Sequence, residues 1–128
     1  MVSATTHDIE VQVDVKYQPQ YSVPFSAEYL FAYHIRITNH SSEAIQLLGR
    51  RWYITDGAVL HREVSGEGLV GQQPHLAPGH THEYVSYCNL RHPYGCMYGQ
   101  YEGIRKLSGE LFEIQVPRFT MLIPPLLS

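Results

Sequence analysis

The stretch that decides the fold is DIEVQVDVKY, residues 8–17. Ile9, Val11, Val13, Val15 and Tyr17 alternate with Asp8, Glu10, Gln12, Asp14 and Lys16. A period of two, mostly in β-branched residues, puts the apolar side chains on one face of an extended chain. The segment therefore reads as a strand with one buried face. YLFAYHIRITN at 29–39 repeats the pattern, with Tyr29, Phe31, Tyr33, Ile35 and Ile37 on one side. Leu30 and Ala32 make its other face less polar, which suits a central strand.

Outward from these two runs, SSEAIQLLG at 41–49 is open to two readings. Ser42 is a helix-capping residue type, Ala44, Ile45 and Leu48 fit helical spacing, and Gly49 would end a helix. The run is under three turns, however, and flows into Arg51–Thr55, which favours one long strand. Asp56-Gly57 predicts a type I′ hairpin turn, since both central positions of that turn need positive φ. Counting outward would pair Thr55 with Ala58, Ile54 with Val59, Trp52 with His61 and Arg50 with Glu63. Residues 65–79, SGEGLVGQQPHLAPG, read as a loop that closes on a Pro78-Gly79 turn.

Strand-like runs follow at 81–88, 94–101, 110–116 and 118–123. Gly95, Gly99 and Gly103 predict bulges or close backbone approach. Pro117 is expected to divide the last two runs, and Pro124-Pro125 to end the final one. Short strands with turn signals and no long amphipathic helix indicate an all-β sandwich or barrel. Residues 1–7 are expected to be flexible, and residues 8–128 to form one domain. Trp52 and the stripe of Tyr29, Phe31 and Tyr33 are expected in the core.

Composition narrows the function classes. At 128 residues the chain suits a single domain that buries about two-thirds or more of its unfolded surface. A net charge of −3 with mixed signs argues against a nucleic-acid binder driven by phosphate neutralisation. No run approaches the ~18–20 apolar residues of a membrane span, so no membrane insertion is expected. MVSATTHDIE lacks the basic and apolar regions of a secretory signal, which points to a cytoplasmic protein. Cys88 and Cys96 are expected as free thiols there, and no CxxC pair suggests a metal site.

Gly66, Gly68 and Gly71 spell GxGxxG. A dinucleotide site of that spelling needs a helix after the glycines, and Gln72-Gln73-Pro74 opposes one. A looser phosphate or pyrophosphate contact, helped by Arg50, Arg51 or Arg62, remains a candidate. The competing reading is a tight sandwich loop, and Glu67 itself opposes an anion. His80 and His82 share parity on a strand and are candidates for a divalent metal, with His75 or His7 as a third ligand. No acidic cluster suits Mg²⁺, and neither GxSxG nor HExxH is present, so no catalytic residue is assigned. Tyr94 and Tyr98 share parity and are candidates for an interaction surface, whereas Tyr101 points the other way unless a bulge intervenes.

Five blocks carry a family resemblance: YLFAYHIRITN (29–39), IQLLGRRWYITDG (45–57), EVSGEGLVGQQPHLAPG (63–79), PYGCMYGQYE (93–102) and LFEIQVPRFTMLIP (111–124). On these residues the chain resembles the ApaG family (DUF525, CorD-like). The resemblance implies an immunoglobulin-like, fibronectin type III-like antiparallel β-sandwich of about seven to nine strands, and it settles the 42–57 region as strand. Related domains in some eukaryotic F-box and polymerase-interacting proteins look like protein-interaction modules. Bacterial members are associated with cobalt resistance and magnesium efflux, and no catalytic set is established. His80-Thr81-His82 and Tyr87, Cys88, Asn89, Arg91 and His92 depart from the expected family pattern. The expectation is a non-enzymatic binding domain whose partner is another protein, with the first strand as a homodimer edge. The alternatives are phosphate, pyrophosphate or nucleotide binding at the glycine loop, and direct metal binding at His80 and His82.

Overall fold

The computed structural model describes residues 1–124, apart from the side chains of residues 60 and 61. Among the described residues nine strands follow in order: β1 (Val2–Thr6), β2 (Ile9–Tyr17), β3 (Tyr29–Asn39), β4 (Ile45–Asp56), β5 (Val59–Glu67), β6 (His75–Leu76), β7 (Thr81–Leu90), β8 (Tyr94–Arg105) and β9 (Leu111–Leu122). All pairings are antiparallel. One sheet has the order β1-β2-β3-β7 and the other β5-β4-β8-β9, with the short β6 also pairing with β4. No helix among the described residues is long and apolar enough to cross a membrane.

The alternating faces close on each other as a sandwich. Ile9, Val11, Val13, Phe31, Tyr33, Ile35 and Ile37 from the first sheet are buried against Ile45, Leu47, Trp52, Met97, Tyr101, Ile114, Phe119 and Met121 from the second. Burying each such side chain is worth about 1.5–3 kcal/mol, so this interior supplies most of the gross driving force. The ring of Trp52 lies at its centre, 5.8 Å from that of Tyr33, 6.0 Å from Tyr101 and 6.1 Å from Phe119. The stripe expected in the core is there, with Tyr29 at its partly buried end. β3 lies between β2 and β7, as its less polar second face foretold. Gly99 shows why glycines recur in β8, because a Cβ there would collide with the Arg51 carbonyl of β4.

Several expectations need correction. Residues 1–7 are not loose, because Val2–Thr6 pairs with β2 along its length, Val2 opposite Val13 and Thr6 opposite Ile9. The strand beginning at Ile9 is therefore internal and offers no free edge to a second copy. The hairpin register also differs. Asp56 pairs with Val59, leaving Gly57 and Ala58 as the turn, and Gly57 alone of the pair Asp56-Gly57 has positive φ, at 69°. A bulge between Ile54 and Thr55 then sets Trp52 opposite Val64 and Arg50 opposite Gly66. The cause is Asp56 itself. Its buried carboxylate accepts the backbone N–H groups of Arg91 and His92, at 2.9 and 3.0 Å, which holds it in the strand.

Pro117 does not divide two strands. β9 runs through it, and the register with β8 slips between Met97–Phe119 and Gly99–Val116, leaving Pro117 and Arg118 in a bulge. The loop expected at 65–79 begins later, since β5 extends through Gly66 to Glu67 and β6 interrupts the remainder. The end expected at Pro124-Pro125 lies partly outside the described residues, and β9 stops at Leu122.

The two long sides of the sandwich close differently. On one, β9 lies against β1 and β2. The Phe112 ring meets His7 edge-on at 5.7 Å, and the Gln115 N–H donates to Thr6 Oγ1 at 3.2 Å. On the other, β7 and β5 face each other without comparable contact and leave a cleft.

Candidate functional site

The cleft between β5 and β7 has a cavity of about 240 Å³, bordered by Arg50, Arg62, Tyr84, Ser86, Trp52 and Val64 among others. Local sequence places each group. In β4, Ile45 and Leu47 point inward, but a bulge between Leu47 and Gly49 reverses the parity, so Arg50, Trp52 and Ile54 take the inner face instead. Opposite them in β5 stand Gly66, Val64 and Arg62. On β7 the inward positions are His82, Tyr84, Ser86, Cys88 and Leu90, polar where a sealed sheet would carry aliphatic residues.

Both arginines are anchored by neutral acceptors. Arg50 Nη1 donates to the carbonyls of Glu67 and Gly68, each at 3.0 Å. A Cβ on Gly66 would sit 3.2 Å from that same nitrogen, so the bare glycine makes room for the guanidinium. Arg62 Nη2 donates to the Asn89 carbonyl at 2.9 Å and to Cys88 Sγ at 3.4 Å, reaching across to β7. Elsewhere Arg36, Arg51 and Arg105 pair with glutamates, whereas no carboxylate meets Arg50 or Arg62 among the described residues.

Hydroxyl groups complete the lining. Tyr84 Oη lies 2.5 Å from Tyr101 Oη, and Tyr101 is fully buried. Burial pushes both phenols well up, so both stay protonated. Burial also pushes Tyr33 up, opposed by the Ser86 side chain beside it. The Cys88 thiol is raised by burial despite Arg62 beside it, which keeps it a thiol near neutral pH.

The residues singled out from sequence divide. Arg50 and Arg62 line one cleft. Arg51 points to the outer face, where its Nε lies 3.7 Å from Glu63 Oε1. The glycines do not present a ring of amides. The Gly68 N–H donates to the Leu48 carbonyl at 2.7 Å, and the Leu69 and Gln72 N–H groups bond across the turn to each other's carbonyls. Gly68 and Gly71 have φ of 70° and 79°, as the tight-loop reading requires.

His80 is exposed in the turn before β7, while His82 points inward with Nε2 buried and without a hydrogen-bond partner. Burial lowers the pKa of His82. His7 lies at the opposite seam against Phe112, His75 is exposed on β6, and among the described residues no three His, Cys, Asp or Glu gather. Tyr94 is exposed, but Tyr98 is stacked on Tyr53 at 5.2 Å with Arg118 over its ring. Tyr101 points inward, as parity indicated. Both cysteines are free and buried. Sequence reasoning missed Tyr84 and Ser86, and the signal was the polar inner parity of 82–88.

Comparison with known proteins gives a consistent result. A family model described as the ApaG domain (DUF525) matches residues 19–105. Protein ApaG of Mesorhizobium japonicum is 45% identical over 124 residues, covering 97% of this chain and 95% of that protein. Protein ApaG of Bordetella pertussis is 44% identical over 118 residues, covering 92% and 89%. The crystal structure of a Bordetella pertussis protein designated ApaA superposes with a TM-score of 0.88 at 43% identity, covering 94% of this chain and 97% of that one.

Proposed function

The chain belongs to the ApaG domain family, and from that premise we propose that it acts as a non-catalytic binding domain that recognises its ligand in the cleft between β5 and β7. The observation that carries this reading is the cavity of about 240 Å³ on the one long side where the sheets do not seal. Its lining mixes apolar walls (Trp52, Ile54, Val64) with a few convergent polar groups, which is the make-up of a ligand site. Covalent catalysis needs a nucleophile with an activating base within hydrogen-bond reach. Here the thiol and phenols are held protonated, and among the described residues no carboxylate or histidine borders the cavity.

The rim suits a protein partner. Val64, Val70 and Tyr87 are exposed around the opening, and β5 and β7 are sheet edges that an extended segment can join. The association of ApaG-like proteins with cobalt resistance and magnesium efflux then runs through what the cleft binds, rather than through a metal on His80 and His82. The test is a screen of small neutral aromatic and amide fragments against the isotope-labelled protein. Amide shifts are expected to cluster on β5 and β7 and to vanish in Val64→Trp, which fills the mouth. Shifts scattered over the outer faces of both sheets would overturn the assignment.

A further inference from the structure

Resting on that reading of the cleft, we infer that its occupant is an extended segment of a partner protein laid along the free edge of β7, with an apolar side chain against Val70 at one end and an acidic one at Arg62 at the other. The register sets the shape. Gly66 stands opposite Arg50 and Arg62 opposite Ile54, four strand positions along. At about 3.3 Å per residue, the two ends of the lining lie roughly 13 Å apart. A cavity drawn out in this way between two strands fits a short run of chain rather than a compact ion.

β7 supplies the backbone ladder. The Asn39 N–H donates to the His80 carbonyl on the β3 side, and Arg62 reaches the Asn89 carbonyl from the opposite side. The β3–β7 register runs without a slip, so the even-numbered residues of β7 bond to β3. Glu83, Val85 and Tyr87 therefore turn their N–H and C=O groups to the open edge. Tyr84 and Ser86, which alternate with them, face the cavity, so a strand added here places every second side chain in the cleft. No proline, lysine or bulge guards this edge.

Val70 marks the apolar end, two residues past Gly68, whose carbonyl holds Arg50. With Gly71 it forms the two-residue turn closed by Leu69 and Gln72. Both central positions have positive φ, 51° at Val70 and 79° at Gly71. A β-branched side chain is strained there, where asparagine or glycine is preferred. Yet Val70 is 57% exposed and borders the cavity beside Val64 and Tyr87. It costs the turn stability and gains little from burial in this chain, so its use is to present apolar surface to a bound side chain. Arg62 marks the other end by charge. Only its Nη2 bonds within the described residues, to Cys88 Sγ and the Asn89 carbonyl, and no nitrogen of it is a buried orphan. Arg50 also borders a second pocket that holds Glu102 and Glu113. Arg62 is thus the cation without a nearby carboxylate, and an acidic side chain is its complement.

The experiment is a titration of the labelled chain with two capped peptides, Lys-Leu-Thr-Val-Thr-Glu-Lys and its reverse, Lys-Glu-Thr-Val-Thr-Leu-Lys, which cover the two directions of strand addition. One of them is expected to shift the amides of Glu83, Val85 and Tyr87 saturably, with half-saturation on the order of 1 mM. Changing its Glu to Gln should weaken binding about fivefold in the wild type and leave it unchanged in Arg62→Gln. Val70→Asn should raise Tm by about 3 °C, because the strain is relieved. The same substitution should weaken the peptide about threefold, a loss that a merely tolerated strain would not produce. Non-saturating shifts, equal binding of the Glu and Gln peptides by the wild type, or a stabilised Val70→Asn that binds as well as the wild type would overturn the inference. Shifts along β7 on concentrating the chain alone would assign the edge to a second copy and overturn it too. If the neutral fragments occupy the cleft and neither peptide does, the segment falls and the binding-domain reading stands. If fragments and peptides both fail, both fall.

Discussion

Along one side of the sandwich, β9 packs on β1 and β2, with Phe112 edge-on to His7 and Ile114 fully buried beneath. Along the other, β5 and β7 leave Arg50, Arg62, Tyr84 and Ser86 around an open cavity of about 240 Å³. Each sheet shows the same alternation of inner and outer residues, so the difference lies in what occupies the inner positions. Aliphatic and phenyl groups seal one seam by excluding water. The second is kept open by groups whose desolvation would cost more than closure returns. Stability is thus concentrated on the first side and recognition on the second.

Substitutions should separate the two sides. The largest effect is expected at Ile114→Ala, which leaves a cavity under the sealed seam and should cost about 4 kcal/mol in urea unfolding. A cost below about 1 kcal/mol would mean that this seam is not the stabilising one. Next comes Asp56, whose clamp on the 91–92 backbone ties the end of β7 to the β4–β5 turn. Burial alone would raise its pKa, but the Arg91 and His92 N–H groups and the His92 ring 2.8 Å away together hold it below the usual 3.8. A depressed carboxylate contributes stability that is fully present above its unfolded value and is lost as pH falls through the folded one. Asp56→Asn should therefore cost about 2 kcal/mol at neutral pH, and the gap from wild type should shrink as pH drops below that value.

A smaller effect is expected from His82, which faces inward at one end of the open side. Its depressed pKa means that the unfolded chain takes up the proton first, so stability falls as pH drops below 6.5. Replacing it with leucine should flatten that slope by less than about 1 kcal/mol, measured as the urea midpoint across the range. The smallest is Tyr87→Ala on the open rim, where Tyr87 is 60% exposed and the cost should stay under about 0.5 kcal/mol. A larger loss would show that the rim contributes to folding, and the division between the sides would blur.

Much of this was legible in the chain. Period-two runs at 9–17 and 29–37 name their own buried faces, and Gly99 announces a crowded backbone. β1 was not, because VSATT has short polar side chains and its pairing depends on the neighbouring strand. The Asp56 turn misled for a long-range reason, as the amides that capture its carboxylate lie 35 and 36 residues later. The cleft has no linear motif at all. Arg50 reaches it only because a bulge switches parity within β4, and Arg62 only because a second bulge shifts β5. GxGxxG drew notice for its amides, while the structure employs its carbonyls.

The bulge at Pro117 has a bearing on behaviour in concentrated solution. β9 is the last strand of its sheet, and a neighbouring copy could lengthen that sheet only by matching an unbroken ladder. Proline withholds one hydrogen-bond donor there, and the slipped register puts the flanking donors out of step. Growth into fibrils along this border is therefore discouraged within the strand that also seals the hydrophobic interior.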